Sequence, residues 1–289
     1  MVTNSVTQRA HYSFVNHKDK NTTFLLNSNT CLLLTILLSI FISIVTHATP
    51  PPPITTTTII SEHIIAPFTA KYNILHKSDP VGSASRQLIY LKNGLARYSY
   101  HTELEWLIFS DQRSETSVVR MSADKITPTH YLYTRKGTGK DKYYEWQYDA
   151  KNNQALNLKN NPERKKIDVD FSLPLQDKFS YHLQHRLNLI YKEKNISSSK
   201  DQEITSYTYP VITTSGYVKD YTYVYDGTEE LMLPYGLVKA VRYKREVKEK
   251  ITYAWFAPEL NYLLVKLYQV KDGNGQFEAQ LTTLTDDYF

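Results

Sequence analysis

Residues 92–106 read KNGLARYSYHTELEW, and the fold class follows from this stretch. Asn93-Gly94 accepts the positive φ angles of a tight turn and is the strongest short hairpin signal in the chain. Beyond the turn the residues alternate. Tyr98, Tyr100, Thr102, Leu104 and Trp106 fall on one side, and Arg97, Ser99, His101, Glu103 and Glu105 on the other. A strand points successive side chains to opposite faces, so this is a strand with one dry and one wet face, as in an antiparallel sheet covered on one side.

The same rhythm extends in both directions. Phe68, Ala70, Tyr72 and Ile74 share a face, Asp79-Pro80-Val81-Gly82 marks a turn, and 83–91 is the return strand. Strands are predicted over 114–121, 128–135 and 142–149, the last two joined through Gly137-Thr138-Gly139-Lys140-Asp141. In the C-terminal half they are predicted over 217–226, 236–246, 250–256, 262–270 and 276–284. Pro258 ends one of them, because proline lacks the ladder N–H. One segment changes period. Over 177–191 (DKFSYHLQHRLNLIY), Phe179, Leu183, Leu187 and Ile190 recur at helical spacing, with Asp177 placed to cap the helix. An amphipathic helix packed on a sheet face is expected there, followed by a polar loop over 194–203. Many strands, one helix and no βαβ rhythm give a mainly β domain: a strongly curved antiparallel sheet or an open half-barrel.

The N-terminus has another character. Residues 31–45 (CLLLTILLSIFISIV) are an uncharged apolar run preceded by Arg9, Lys18 and Lys20 and followed by Thr46-His47-Ala48. Such a run is an export signal, cleaved after Ala48 or kept as an anchor in the inner membrane. Residues 49–67 carry four consecutive prolines and four consecutive threonines, the composition of an extended, disordered linker. The expected organisation is therefore a leader over 1–48, a linker over 49–67 and a β domain over 68–289, placed in the periplasm. Cys31 is the only cysteine among the 289 residues, so nothing beyond the leader forms a disulfide or a thiolate metal site.

The net charge of +5 arises from scattered Lys and Arg, without the basic stripe of a nucleic-acid binder. The composition is also rich in tyrosine, with 24 Tyr against 9 Gly. Tyr217, Tyr221, Tyr223 and Tyr225 share one strand face, and Tyr262 and Tyr268 share another. A curved sheet lined in this way holds an apolar ligand or simply fills its own core. His182 and His185 are three apart on the helix, and His101, Glu103 and Glu105 alternate along a strand. Both sets are read as solvated surface, since the first flanks the apolar stripe and the second lies opposite the dry face. No nucleophile elbow, phosphate loop or metalloprotease motif is present.

Several stretches together carry a resemblance. They are Phe68-Thr69-Ala70-Lys71-Tyr72 with Gly82-Ser83, residues 106–113 (WLIFSDQR), residues 137–141 (GTGKD), and residues 252–265 (TYAWFAPELNYLLV). These resemble the Gram-negative exported proteins of domain of unknown function 3108, with Leu264 standing where that family has proline. The resemblance implies an exported β-rich protein shaped like the half-barrels of lipoprotein-localisation factors. It implies no activity, cofactor or catalytic residue. The expected function is thus non-enzymatic binding of a lipid, another apolar ligand or an envelope partner, through Trp106, Phe109, Tyr221, Tyr223, Tyr225, Trp255, Tyr262 and Tyr268. Two alternatives are kept: an envelope hydrolase using His101, Glu103, Glu105 or Asp111, and an assembly factor acting through its sheet edges.

Overall fold

The computed structural model describes residues 63–106, 108–159, 166–195 and 205–286. The expected leader lies outside the described residues. No helix among those described is long and apolar enough to cross a membrane.

Strands β1 (Phe68–His76), β2 (Asp79–Tyr90), β3 (Leu95–Trp106), β4 (Phe109–Met121), β5 (Ile126–Gly137), β6 (Lys142–Asp149), β7 (Gln154–Asn157) and β8 (Lys166–Asp168) come first. Helix α1 (Ser180–Asn195) follows. Then come β9 (Ser206–Ile212), β10 (Val218–Leu233), β11 (Gly236–Val247), β12 (Lys250–Ala257), β13 (Leu263–Lys271) and β14 (Asn274–Asp286). All belong to one 14-stranded sheet ordered β8-β7-β6-β5-β4-β3-β2-β1-β14-β13-β12-β11-β10-β9. Within each meander every strand pairs antiparallel with its sequence neighbours, β8 and β9 are the two edges, and the pairing of β1 with β14 joins the meanders. The predicted turn after β2 is a three-residue loop, with Leu91 N–H bonded to the Leu95 carbonyl at 2.7 Å and Gly94 at φ 73°.

The sheet bends at register shifts, among them Lys71/Tyr72, Val118/Val119, Tyr225/Thr228 and Trp255/Phe256. An extra residue on one strand of a pair kinks it and increases its twist. The curl brings distant strands together without closing a barrel. Gly216, between β9 and β10, backs onto Trp146 of β6 and Ile167 of β8, where an added Cβ would lie 3.0 and 3.3 Å from them. Gln176 bridges to Val211 of β9, and its Nε2 donates to the Ile126 carbonyl of β5 at 2.8 Å.

The curl also corrects the reading of α1. The helix is enclosed by the sheet. Phe179, Leu183, Leu187 and Ile190 pack into the larger core, as their spacing predicts. The opposite flank is buried too: Tyr181 and Leu189 join a second cluster with Tyr209, Tyr223, Tyr243 and Phe256. His182 and His185 are therefore not a solvated flank. Asp177 does cap the helix: its Oδ1 accepts the N–H groups of Phe179 and Ser180 at 2.8 and 2.6 Å, while Ser180 Oγ accepts the Asp177 N–H.

Smaller differences follow the same logic. The helix runs through Lys194 and Asn195, where a loop was expected. Residues 63–67, assigned to the linker, lie on the domain: Ile65 is fully buried and its carbonyl accepts the Tyr90 hydroxyl at 2.7 Å. Strands β7, β8 and β9 were not foreseen, and β10 extends to Leu233.

Candidate functional site

Where the first turns of α1 meet the concave face of the sheet, a cavity of about 470 Å³ remains. This lies within the roughly 300–1,000 Å³ of small-molecule sites. Its apolar wall comes from Ile74, Leu104, Leu267 and Ala279 on the sheet and Phe179 on the helix side. Tyr100, Tyr133, Tyr181 and Tyr221 add ring faces.

The remaining lining is charged, and the charges are mostly positive: Arg86, Arg113, Lys178, Arg245 and Lys250 against Glu115 and Glu278. Two of these are neutralised locally. Glu278 pairs with Lys266 at 3.1 Å, and Arg113 with Asp111 at 2.7 Å. Among the described residues no carboxylate forms an ion pair with Arg86, Lys178, Arg245 or Lys250. Arg86 is buried, donates to the Tyr98 hydroxyl at 3.1 Å and lies over the rings of Tyr100 and Phe179 at 5.4 and 5.6 Å. Arg245 lies over Tyr221 at 4.5 Å, and its buried Nε has no hydrogen-bond partner. Lys250 is held below the usual lysine range by desolvation and by repulsion from Arg245, Arg113 and Lys178. Glu115 is pushed up to about 7, chiefly by burial, although Tyr131 donates to it at 2.6 Å.

Behind the cavity the helix carries two further ionisable groups in dry surroundings. His185 is fully buried, with Nδ1 2.9 Å from the Tyr209 hydroxyl and its ring against Tyr223, Tyr243 and Phe256. Burial lowers its pKa to about 3. Asp177 is buried and pushed up to about 6 by desolvation, despite accepting the Ser117 hydroxyl at 2.7 Å.

Of the eight aromatic residues expected to line one groove, the seven whose side chains are described are dispersed, and of these only Tyr221 lines the cavity. Tyr223 is fully buried beside it, its hydroxyl 3.2 Å from His182 Nδ1. Tyr225 lies near the surface, with its hydroxyl against Thr228. Trp255 is buried in the larger cluster and points the opposite way from Ala254 and Phe256, which join the second. Its Nε1 donates to Glu229 at 2.6 Å, and Lys266 sits 5.0 Å from its ring. Tyr262 is half-buried between the two clusters, and Tyr268 packs against Gly275. Phe109, at the β3–β4 turn, is 53% exposed. The side chain of Trp106 is outside the described set.

The residues of the hydrolase alternative stand apart from the cavity. His101 and Glu103 pair in solvent at 3.1 Å, and neither they nor Glu105 line the cavity. Asp111 is occupied by Arg113 and Arg135, whose hydrogen bonds help hold it below the usual carboxylate range. No group of three or more metal-ligating side chains occurs among the described residues.

The cations of the cavity went unnoticed in the sequence, yet they left a signal. Arg86 alternates with buried Ala84 and Leu88, Glu115 with buried Ser117 and Val119, and Lys250 with buried Thr252 and Ala254. Charged residues at inward-facing positions of a strand mark a place where the interior is not dry.

Among the solved structures that resemble the chain are three with close to full coverage of their own length. A beta-barrel-like protein of domain of unknown function DUF1849 from Brucella abortus is 11% identical, covers 76% of this chain and 97% of its own, and gives a TM-score of 0.49. A candidate lipoprotein from Parabacteroides distasonis is 12% identical, with 76% and 95% coverage and a TM-score of 0.30. A candidate exported protein with a YmcC-like fold from Bacteroides fragilis is 10% identical, with 75% and 95% coverage and a TM-score of 0.27. No curated protein matches. The family model described as "Protein of unknown function (DUF3108)" matches residues 97–282, well over half the chain, and the chain therefore belongs to that family.

Proposed function

We propose that this is a non-enzymatic envelope protein that takes an apolar ligand into the cavity between its concave sheet and α1. The carrying observation is the cavity itself: a partly open cleft of about 470 Å³ whose apolar wall is formed by Ile74, Leu104, Phe179, Leu267 and Ala279. A concave cleft of this size that sets an apolar wall beside a few polar groups is the usual form of a small-molecule site. The apolar leader over 31–45 supports work in the periplasm, with an inner-membrane tether if the leader is kept.

Native mass spectrometry of the purified protein, followed by organic extraction, tests this. A co-purifying apolar molecule is expected, and Ala279→Trp, which fills the cavity, abolishes its retention. Wild-type protein that emerges empty and takes up no added acyl chain overturns the proposal.

A second reading, docking of an envelope protein, is favoured by the tip of the β10–β11 hairpin. There Met232 and Leu237 are cross-strand partners and are 76% and 60% exposed. Site-specific crosslinking from position 237 in intact cells is expected to trap one reproducible partner. A smear no different from that of a crosslinker at position 219 removes this reading.

A further inference from the structure

We infer that the cavity selects an amphiphile with a single apolar chain and an anionic phosphate or carboxylate head, held by Arg245, Lys250, Lys178 and Arg113. The inference rests on the ligand-binding reading above and deepens it.

The argument begins with where the cations stand. Arg113 is on β4 and Lys250 on β12, and β3, β2, β1, β14 and β13 lie between them in the sheet. Along the sheet they are remote. Across the curl they are neighbours: Arg113, Lys178 and Arg245 all repel the Lys250 ammonium. Four cations from two walls and the helix approach thus converge on one space. Like charges brought together in a partly dry cavity raise the free energy of the empty protein, and a bound anion relieves it.

The local carboxylates relieve only Arg113, which pairs with Asp111 at 2.7 Å, and leave Lys178, Arg245 and Lys250 without an ion pair among the described residues. Glu278 is engaged by Lys266, and Glu115 accepts from Tyr131 and is pushed up to about 7, so near neutrality it carries only part of a charge. Arg245 offers a more specific mark. Tyr221 orients its guanidinium, yet its buried Nε–H has no acceptor. An unmet buried donor on a charged group is costly, and a phosphate or carboxylate oxygen is the acceptor that suits a guanidinium best. The same cavity continues onto Ile74, Leu104, Leu267 and Ala279, which offer nothing to an anion and suit an acyl chain. One ligand satisfies both linings only if it is an amphiphile.

The experiment measures competition binding to the full-length protein with four probes: tetradecyl phosphate, myristate, tetradecanol and inorganic phosphate. Tetradecyl phosphate and myristate are expected to bind about ten-fold or more tightly than tetradecanol, the factor of one charge-assisted hydrogen bond. Their preference shrinks as salt rises. In Lys250→Gln combined with Arg245→Gln the preference falls to about two-fold or less. Because Arg245 also packs on Tyr221, the single variant Lys250→Gln at the rim and the salt series on wild type serve as independent readouts.

Equal affinity for tetradecanol and tetradecyl phosphate at low salt overturns the head-group inference while leaving apolar binding intact. Inorganic phosphate that binds as tightly as tetradecyl phosphate shows a free-anion site and overturns the amphiphile. Failure of all four probes overturns both this inference and the reading on which it rests.

Discussion

Replacing His185 with leucine tests whether the enclosed helix makes the protein acid-labile. The Tyr209 hydroxyl receives the Asn188 Nδ2 donor at 3.0 Å and lies 2.9 Å from His185 Nδ1. Whichever of the two donates in that bond, His185 Nε2 has no hydrogen-bond partner and lies among aromatic rings. A second proton has nowhere favourable to go. Burial lowers the pKa from 6.5 to about 3. The unfolded chain takes up a proton below about pH 6.5 that the folded chain refuses. The contribution to stability is thus complete above that pH and is lost as pH falls towards 3.

Between about pH 7.5 and 4.5 the loss spans roughly two pKa units, or about 3 kcal/mol from this one side chain. Urea unfolding followed by tryptophan fluorescence at both pH values measures it. At the higher pH, His185→Leu is expected to cost only about 1 kcal/mol, since Tyr209 loses a partner but an unpartnered buried ring nitrogen is removed. The variant's advantage over wild type then grows by about 3 kcal/mol on going to the lower pH. Equal pH dependence in the two proteins would refute a buried, neutral His185.

Asp177 titrates with the opposite sign. Its folded pKa of about 6 stands above the usual 3.8, so its contribution is complete below the unfolded pKa and is lost as pH rises through 6. Asp177→Asn should therefore gain on wild type between about pH 4 and 7, by about 3 kcal/mol at most, in the same urea assay. Leu187→Ala removes a fully buried side chain of the helix and is expected to cost about 2–5 kcal/mol, read from the urea midpoint. Trp255→Phe loses the bond to Glu229 but faces away from the cavity, so its affinity for myristate should match that of wild type in the competition assay. A ten-fold loss would return Trp255 to the site.

The sheet was legible because each strand of the two long meanders shows its alternation locally. Tyr98, Tyr100 and Leu104 declare a face without reference to any distant residue. What was illegible depended on closure. Strand β7 and the edge strand β8 are four and three residues long, too short for a period to appear. Strand β9 contains Pro210, which argues against a strand when read alone.

The helix was misread for a related reason. Gln184, His185 and Arg186 look like a wet flank, and that flank is dry only because the curled sheet supplies partners. Gln184 Oε1 accepts the Ile126 N–H at 2.6 Å, and Arg186 donates to the Asn261 carbonyl at 2.8 Å. Polarity met by groups that the curled sheet brings up from distant segments cannot be foreseen from a helical wheel. The cavity fell in the same gap: its cations come from β2, β4, β11, β12 and the approach to α1, which nothing in the linear order brings together.

Arg86 shows why those charges are better explained by a ligand than by the fold. It is buried, its hydrogen bond goes to a neutral tyrosine hydroxyl, and no described carboxylate pairs with it. Removing a guanidinium from water costs several kcal/mol, and a tyrosine bond with two ring contacts of about 1–2 kcal/mol each offsets only part of that. A residue selected for stability alone would be apolar here. Arg86→Leu should then leave the folding free energy within about 1 kcal/mol of wild type or raise it, since hydrophobic replacement of buried charge is often neutral or stabilising. Glu115 loses a favourable neighbour in that variant, but a carboxyl already pushed up to about 7 responds by keeping its proton. Urea midpoints at about pH 7 decide the matter. A loss of about 3 kcal/mol or more would show that Arg86 holds Phe179 and Tyr98 in place, making at least this cation part of the scaffold.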